Sequence, residues 1–223
     1  MRGMADYQIL GQSNYAVAIL LDTLRTIHEG RLEVDIVANI PSEDNESLGH
    51  AYQVEGIDTR EIDHSAWRRD PEARLLIGSI GRGRRAIYSS FRERFGIEAR
   101  DYHSTVDPRA NLAHQLEVGR GVHVSPGATI APFASLGDFV VVNRNASIGH
   151  HTVLGEFVTV NPGVQVAGIC RIEDGVALGV GAAIVDGVTI GEGTVVGAGS
   201  VVTKNLPANV VAYGVPARVI RQR

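Results

Sequence analysis

The sequence predicts two domains of different class: a small α/β, Rossmann-like parallel-sheet domain over residues 1–104 and an all-β parallel coil over residues 105–223. Three observations predict this. Val, Ile or Leu recurs at every sixth position from Val106 to Val202, 17 times without a slip, through Leu112, Ile130, Ile148, Ile172 and Ile190. The residue four further on is small or β-branched, as at Ala128, Ala134, Ala146, Thr152, Val158, Val164, Cys170, Ala182, Thr194 and Ser200, while Gly and Asp gather between. The first hundred residues lack this beat and carry helix-period and strand-like runs instead.

A period of six fits neither an α-helix, whose turn holds about 3.6 residues, nor a flat strand, which alternates at every second position. It fits three short strands around a triangular turn, so that three units make one coil, with each aliphatic residue pointing inward and stacking on its equivalent one coil away. Stacked coils lie at the ordinary interstrand spacing of ~4.8 Å. The beat starts just past Ser104, which places the domain boundary there.

Before that boundary, Tyr7-Gln8-Ile9-Leu10 reads as a strand and Gly11 to Asn14 as a turn. A helix is expected from Tyr15 to about Glu29, with Val17, Leu20, Leu21, Leu24 and Ile27 on one face and Gly30 as its C-cap. Val34 to Ile40 reads as a second strand, Pro41 to Gly49 as a polar loop, and Leu75 to Ile80 as a buried strand. Arg84 to Phe95 reads as a helix stopped by Gly96. Strand, helix, strand, then strand, helix implies a parallel sheet with flanking helices.

Composition excludes several function classes. No apolar run is long enough to cross a bilayer, so no membrane span is expected, and the N-terminus has no secretory leader pattern. A net charge of −4 argues against a nucleic-acid surface. A single cysteine, Cys170, excludes an internal disulfide and suits the cytoplasm; its place among the inward small residues marks it as a packed thiol. No acid follows Glu192, whereas Lys204, the only lysine, is followed by Arg218, Arg221 and Arg223. This tail is either a solvated surface or a contact for a phosphate-bearing ligand.

Two stretches carry a family resemblance: Asn143-Arg144-Asn145-Ala146-Ser147-Ile148-Gly149-His150 with Thr152 to Phe157, and Val201-Val202-Thr203-Lys204 through Gly214-Val215-Pro216-Ala217-Arg218. With the N-terminal strand and Gly-Xaa-Ser loop, the chain resembles bacterial sugar O/N-acetyltransferases of the sialic-acid O-acetyltransferase and UDP-4-amino-sugar N-acetyltransferase type. The resemblance implies a left-handed β-helix, a homotrimer with acetyl-CoA in the groove between neighbouring coils, and a nucleotide sugar against residues 1–104. It implies acetylation of a sugar amine or hydroxyl in bacterial surface-glycan biosynthesis, with no metal.

The residues then take roles. His150 stands at an outward corner, and imidazole is largely neutral and basic at pH 7. Position alone suits a surface histidine equally well; the Ile-Gly-His context shared with the family favours the general base. Gly168 lies three units on, hence one coil along at the same corner, where its N–H could reach a thioester oxygen. The resemblance puts Asn143 at the acceptor end of the sugar, and Ser13, Asn14 and Tyr15, with Asn39 after the second strand, in the nucleotide-sugar site. It puts Thr159, Val180 and Ala198 on the acetyl-CoA wall and Lys204 and Arg218 at its phosphates.

Four departures stand out. The family places Asp or Glu after its histidine, where this chain has His151; it often has a second histidine, where this chain has Thr159. Its Gly-Xaa-Ser-Gly-His-Gly loop reads Gly11-Gln12-Ser13-Asn14-Tyr15-Ala16 here, and its acidic pair after the second strand is missing. A non-catalytic trimeric scaffold is therefore an alternative. A γ-carbonic-anhydrase-type metalloenzyme is another: His114 and His150 are two coils apart, but Gly155 stands where a third ligand is expected.

Overall fold

The computed structural model describes residues 5–38, 53–81 and 83–223, and the chain divides into two compact units, 1–104 and 105–223. In the first unit, four parallel strands, β1 (Tyr7–Leu10), β2 (Leu32–Ala38), β3 (Ile57–Asp63) and β4 (Arg74–Ile77), pair in the order β3-β2-β1-β4. Helix α1 (Asn14–Ile27) buries Val17, Leu20, Leu21 and Leu24 against Ile9, Val34 and Ile36. Ile27 is 40% exposed, so the apolar face ends one turn earlier than its spacing implies. The cap is also not Gly30: the helix ends at His28, whose N–H donates to the Leu24 carbonyl. Helix α2 (Gly83–Phe95) does end as expected, at Gly96 with φ +69.

Strand β3 was not legible. Ile57-Asp58-Thr59-Arg60-Glu61-Ile62-Asp63 is an edge strand with one partner, so it needs few apolar residues and carries charges instead. Its Arg60 closes a polar row across three strands in register, Gln8, Asp35 and Arg60. Asp35 is buried and accepts from Arg60 Nε and Nη2, each at 2.9 Å, and Gln8 ties the row to the Arg68 carbonyl and the Asp70 N–H. The expected strand to Ile80 stops at Ile77, although the Gly78 N–H still donates to the Leu10 carbonyl. The expected loop 41–49 and Asn39 lie outside the described residues.

The second unit is the predicted coil. Seventeen short strands, β5 (Thr105–Val106) to β21 (Val201–Val202), begin at every sixth position, and each pairs in parallel with the strand three units away. They form three flat sheets. The inward aliphatics from Val124 to Val202 are buried, and so are all ten small or β-branched positions. Cys170 is among them; burial pushes its thiol above the usual range. The first coil departs from the pattern: Val106 and Leu112 are half-buried and Val118 is 41% exposed, since no earlier coil stacks on them. Fifteen successive corners, at every sixth position from Gln115 to Gly199, sit in the left-handed region with φ between 55 and 71. Beyond the coil, β22 (Val210–Gly214) joins one sheet and folds back on β23 (Ala217–Gln222) as an antiparallel hairpin.

Candidate active site at a corner of the coil

The stacking register builds one column of side chains. Strands β12 (Ser147–Ile148), β15 (Gln165–Val166), β18 (Ala183–Ile184) and β21 lie in consecutive coils of one sheet. Two positions past β12, β15 and β18 come His150, Gly168 and Asp186. At ~4.8 Å per coil, Asp186 stands about 10 Å along the column from His150. Lys204 follows β21, where the turn is two residues shorter and Leu206 pairs with Ile190.

His150 is exposed, and its ring lies over Gly168: a Cβ built there would meet His150 Nε2 at 2.6 Å and Cε1 at 2.7 Å. A side chain at residue 168 would therefore displace the imidazole above it. The expected oxyanion donor is corrected. The Gly168 N–H already donates to Asp186 Oδ1 at 3.0 Å, so it is committed to a carboxylate instead of being open to a thioester oxygen. Asp186 was missed, although the same register from His150 reaches it. The corner is pinned from inside by Thr152, whose buried hydroxyl donates to the Ala167 carbonyl and accepts from the Cys170 N–H. His151, at φ +55, sets its Nδ1 3.1 Å from His150 Nδ1 and packs its ring on Phe133, centroids 4.8 Å apart.

A Gly168→Ala variant is expected to push the imidazole aside and lower turnover roughly tenfold to a hundredfold. Its melting temperature should stay within about 2 °C, since the residue is not in the left-handed region and a side chain can yield. Steady-state kinetics and a thermal melt check both.

The other expected site residues are spread. Val180 and Ala198, both exposed and one coil apart, occupy the corner at the opposite edge of that sheet from His150. Thr159 is buried on a different face, in line with His123 and Val141. Asn143 is buried and its Nδ2 has no hydrogen-bond partner. Arg218 is exposed in the terminal hairpin, where it donates to the Ala217 carbonyl. In the first unit, Ser13 and Tyr15 sit at the start of α1, with Asn14 between them opening the helix. The Ser13 N–H donates to the Gly78 carbonyl, and the Gly78 N–H to Leu10, so the loops after β1 and β4 lie side by side at the carboxyl edge of the sheet. Gly11 has φ +96 and no room for a Cβ, which would meet Ile87 at 2.4 Å. The loop after β4 was also missed; buried Arg84 braces it by donating to the Ile77 and Ser79 carbonyls, and burial brings that guanidinium down to about 10.

Among the described residues, no group of three His, Cys, Asp or Glu side chains could hold a metal ion, and no helix is long and apolar enough to cross a membrane.

The family model described as bacterial transferase hexapeptide (six repeats) matches residues 169–204. No curated protein matches significantly. Among solved structures, the chain is similar to a histidine-to-alanine variant of GDP-perosamine N-acetyl transferase from Caulobacter crescentus in complex with CoA and GDP-perosamine: 26% identity, 99% of each chain covered, TM-score 0.81. It is similar to PerB from the same organism, in complex with the same two ligands, at 26% identity over 98% of this chain and 99% of that one, TM-score 0.77. The acetyltransferase domain of PglB from Neisseria gonorrhoeae shares the fold at 20% identity, covering 96% of this chain and 100% of that domain, TM-score 0.78. The hexapeptide beat, the left-handed parallel β-helix and the neighbours that match over the whole chain together make this chain similar to acyltransferases of the hexapeptide-repeat, sugar-acetyltransferase type.

Proposed function

We propose that the protein transfers an acetyl group from acetyl-CoA to an amino or hydroxyl group, an amine foremost, of a nucleotide-linked sugar in bacterial surface-glycan biosynthesis. The observation that carries this reading is the exposed His150 imidazole laid over a glycine, in a chain similar over its whole length to a GDP-perosamine N-acetyl transferase. Acetyl-CoA supplies an activated acyl carbon. His150 Nε2 takes the proton from the acceptor nitrogen as it attacks, then returns it to the leaving thiolate sulfur. Asp186 accepts a hydrogen bond from the Gly168 N–H beneath the ring. With the thioester at His150, Lys204, just after β21, serves as a cation for the phosphates. Val180 and Ala198 offer an apolar wall and Arg218 a second cation.

A homotrimer fits this reading, with acetyl-CoA in the groove between coils. Phe133, Val153, Ile169 and Val185, all near the His150 corner, are 39–62% exposed, and such apolar surface favours a partner. The first unit serves as the nucleotide-sugar domain, with Ser13, Asn14 and Tyr15 at the carboxyl edge of its sheet and Asn39 following β2. Asn143, whose buried amide lacks a partner, serves the acceptor end. A cytoplasmic setting fits the single free cysteine.

The test is release of free CoA thiol from acetyl-CoA with a panel of nucleotide-linked amino and hydroxy sugars. Thiol release that depends on one acceptor is expected; no release with any acceptor, together with no acetyl-CoA binding in calorimetry, would leave the trimeric scaffold as the better account. Lys204→Ala is expected to raise the KM for acetyl-CoA roughly three- to tenfold while that for the acceptor holds. An unchanged KM would make the ammonium a solvated surface charge.

A further inference from the structure

We propose that His151 is the positioning residue of this site: its Nδ1 accepts a hydrogen bond from the Nδ1–H of His150 and so fixes His150 in the tautomer whose Nε2 is bare. This rests on the reading of His150 as the base. The two Nδ1 atoms are 3.1 Å apart, and the rings meet edge to face, 87° between planes with centroids 5.3 Å apart. A bond between two ring nitrogens holds one proton, so one Nδ1 donates and the other accepts. If His151 donated, the His150 proton would sit on Nε2, and no lone pair would face an acceptor. If His150 donates, Nε2 is free.

The reaction selects the second arrangement. When Nε2 takes a proton, His150 becomes an imidazolium with N–H on both nitrogens, and its Nδ1 can only donate. The bond to neutral His151 is then charge-assisted, stronger in the transition state than before it. Among the described residues, no carboxylate forms a hydrogen bond or ion pair with either ring, and Asp186, in the same column, is engaged by the Gly168 amide. His151 thus occupies the functional place of the carboxylate that was expected to follow the histidine.

Three contacts hold His151 for this role. Its backbone is a left-handed corner at φ +55, its N–H donates to the Pro132 carbonyl, and its ring lies on Phe133 with planes 33° apart. Phe133, Phe139 and Phe157 adopt φ 57 to 63 at equivalent corners, so this coil accepts a phenyl ring there. His151→Phe therefore keeps stack and backbone while deleting the acceptor. His151→Asn keeps an acceptor close to the Nδ1 position, on a residue that tolerates the left-handed region.

The test uses the full chain with ¹⁵N-labelled imidazoles. The wild type is expected to show His150 as Nδ1–H and His151 as Nε2–H. His151→Phe is expected to move His150 toward Nε2–H and lower kcat roughly 10- to 100-fold with the KM for acetyl-CoA unchanged. His151→Asn is expected to recover the Nδ1–H signal and kcat to within about threefold of wild type. A wild-type His150 carrying Nε2–H, or a Phe variant with wild-type kcat and tautomer, overturns the proposal. If His150→Ala alone kept full turnover, the base reading would fall, while the ¹⁵N spectra would still decide the bond between the two rings.

Discussion

Replacing His150 with alanine is expected to lower kcat at least ~100-fold and leave acetyl-CoA affinity within about twofold. The first half follows from what the side chain does. A positioned base typically contributes roughly 10²–10⁴ in rate, and among the described residues no carboxylate stands at that point of the column to replace it. Asp186 is about 10 Å away along the coils and already accepts a hydrogen bond. The second half follows from placement. His150 touches Gly168 and His151, and its loss removes neither Lys204 nor the exposed Val180 and Ala198. Stopped-flow or thiol-release kinetics with isothermal titration of acetyl-CoA measure both numbers. Equal turnover in the variant would take His150 out of the chemistry, and a lost acetyl-CoA affinity would make it a binding residue.

Replacing Ile148 with aspartate is expected to abolish the native assembly. Ile148 is 1% exposed and lies in the coil interior, stacked between Ile130 and Val166 in adjacent coils. That interior is aliphatic, with the nearby polar groups already paired, so an aspartate finds no counter-charge. The cost is on the order of 4–5 kcal/mol, a large share of the ~5–15 kcal/mol that holds a typical domain. The coils on either side lose their stacking partner at once, and the corner bearing His150, two positions on, loses its support. Sedimentation and circular dichroism of the purified variant would show aggregated or unfolded chains. A soluble variant with native spectrum and native sedimentation would mean that the inward register is misassigned.

The coil was legible because its code is strict. Each unit repeats the same physical demand, one aliphatic inward, one small residue inward, one left-handed corner, and 17 copies leave no ambiguity of register. That register also placed His150 and Gly168 at one corner, one coil apart, before any coordinates. What it could not supply was the direction of polar bonds. The Gly168 amide looked available until Asp186 was seen to hold it, and His151 looked like a missing charge until its ring was seen beside His150. Counting one coil back from His151 finds Phe133, and two coils on from His150 finds Asp186, so both signals were present but mute about geometry. The first unit was harder. Its core strands and helices follow apolar patterns, whereas β3 is an edge and its charges hide it, and the cap at His28 uses extended backbone that no residue type announces.

The column of side chains two positions past each strand works as a ruler. Its marks are one coil apart, about 4.8 Å, and nothing between marks is available. The distance from imidazole to carboxylate therefore changes only in whole steps. Gaining or losing three complete units between His150 and Asp186 would lengthen or shorten it by one mark and keep the interior pattern in place. A change of a single unit would keep the interior equally well and turn Asp186 to another side of the prism. In this architecture, the spacing of two corner groups is set by integer arithmetic on the sequence.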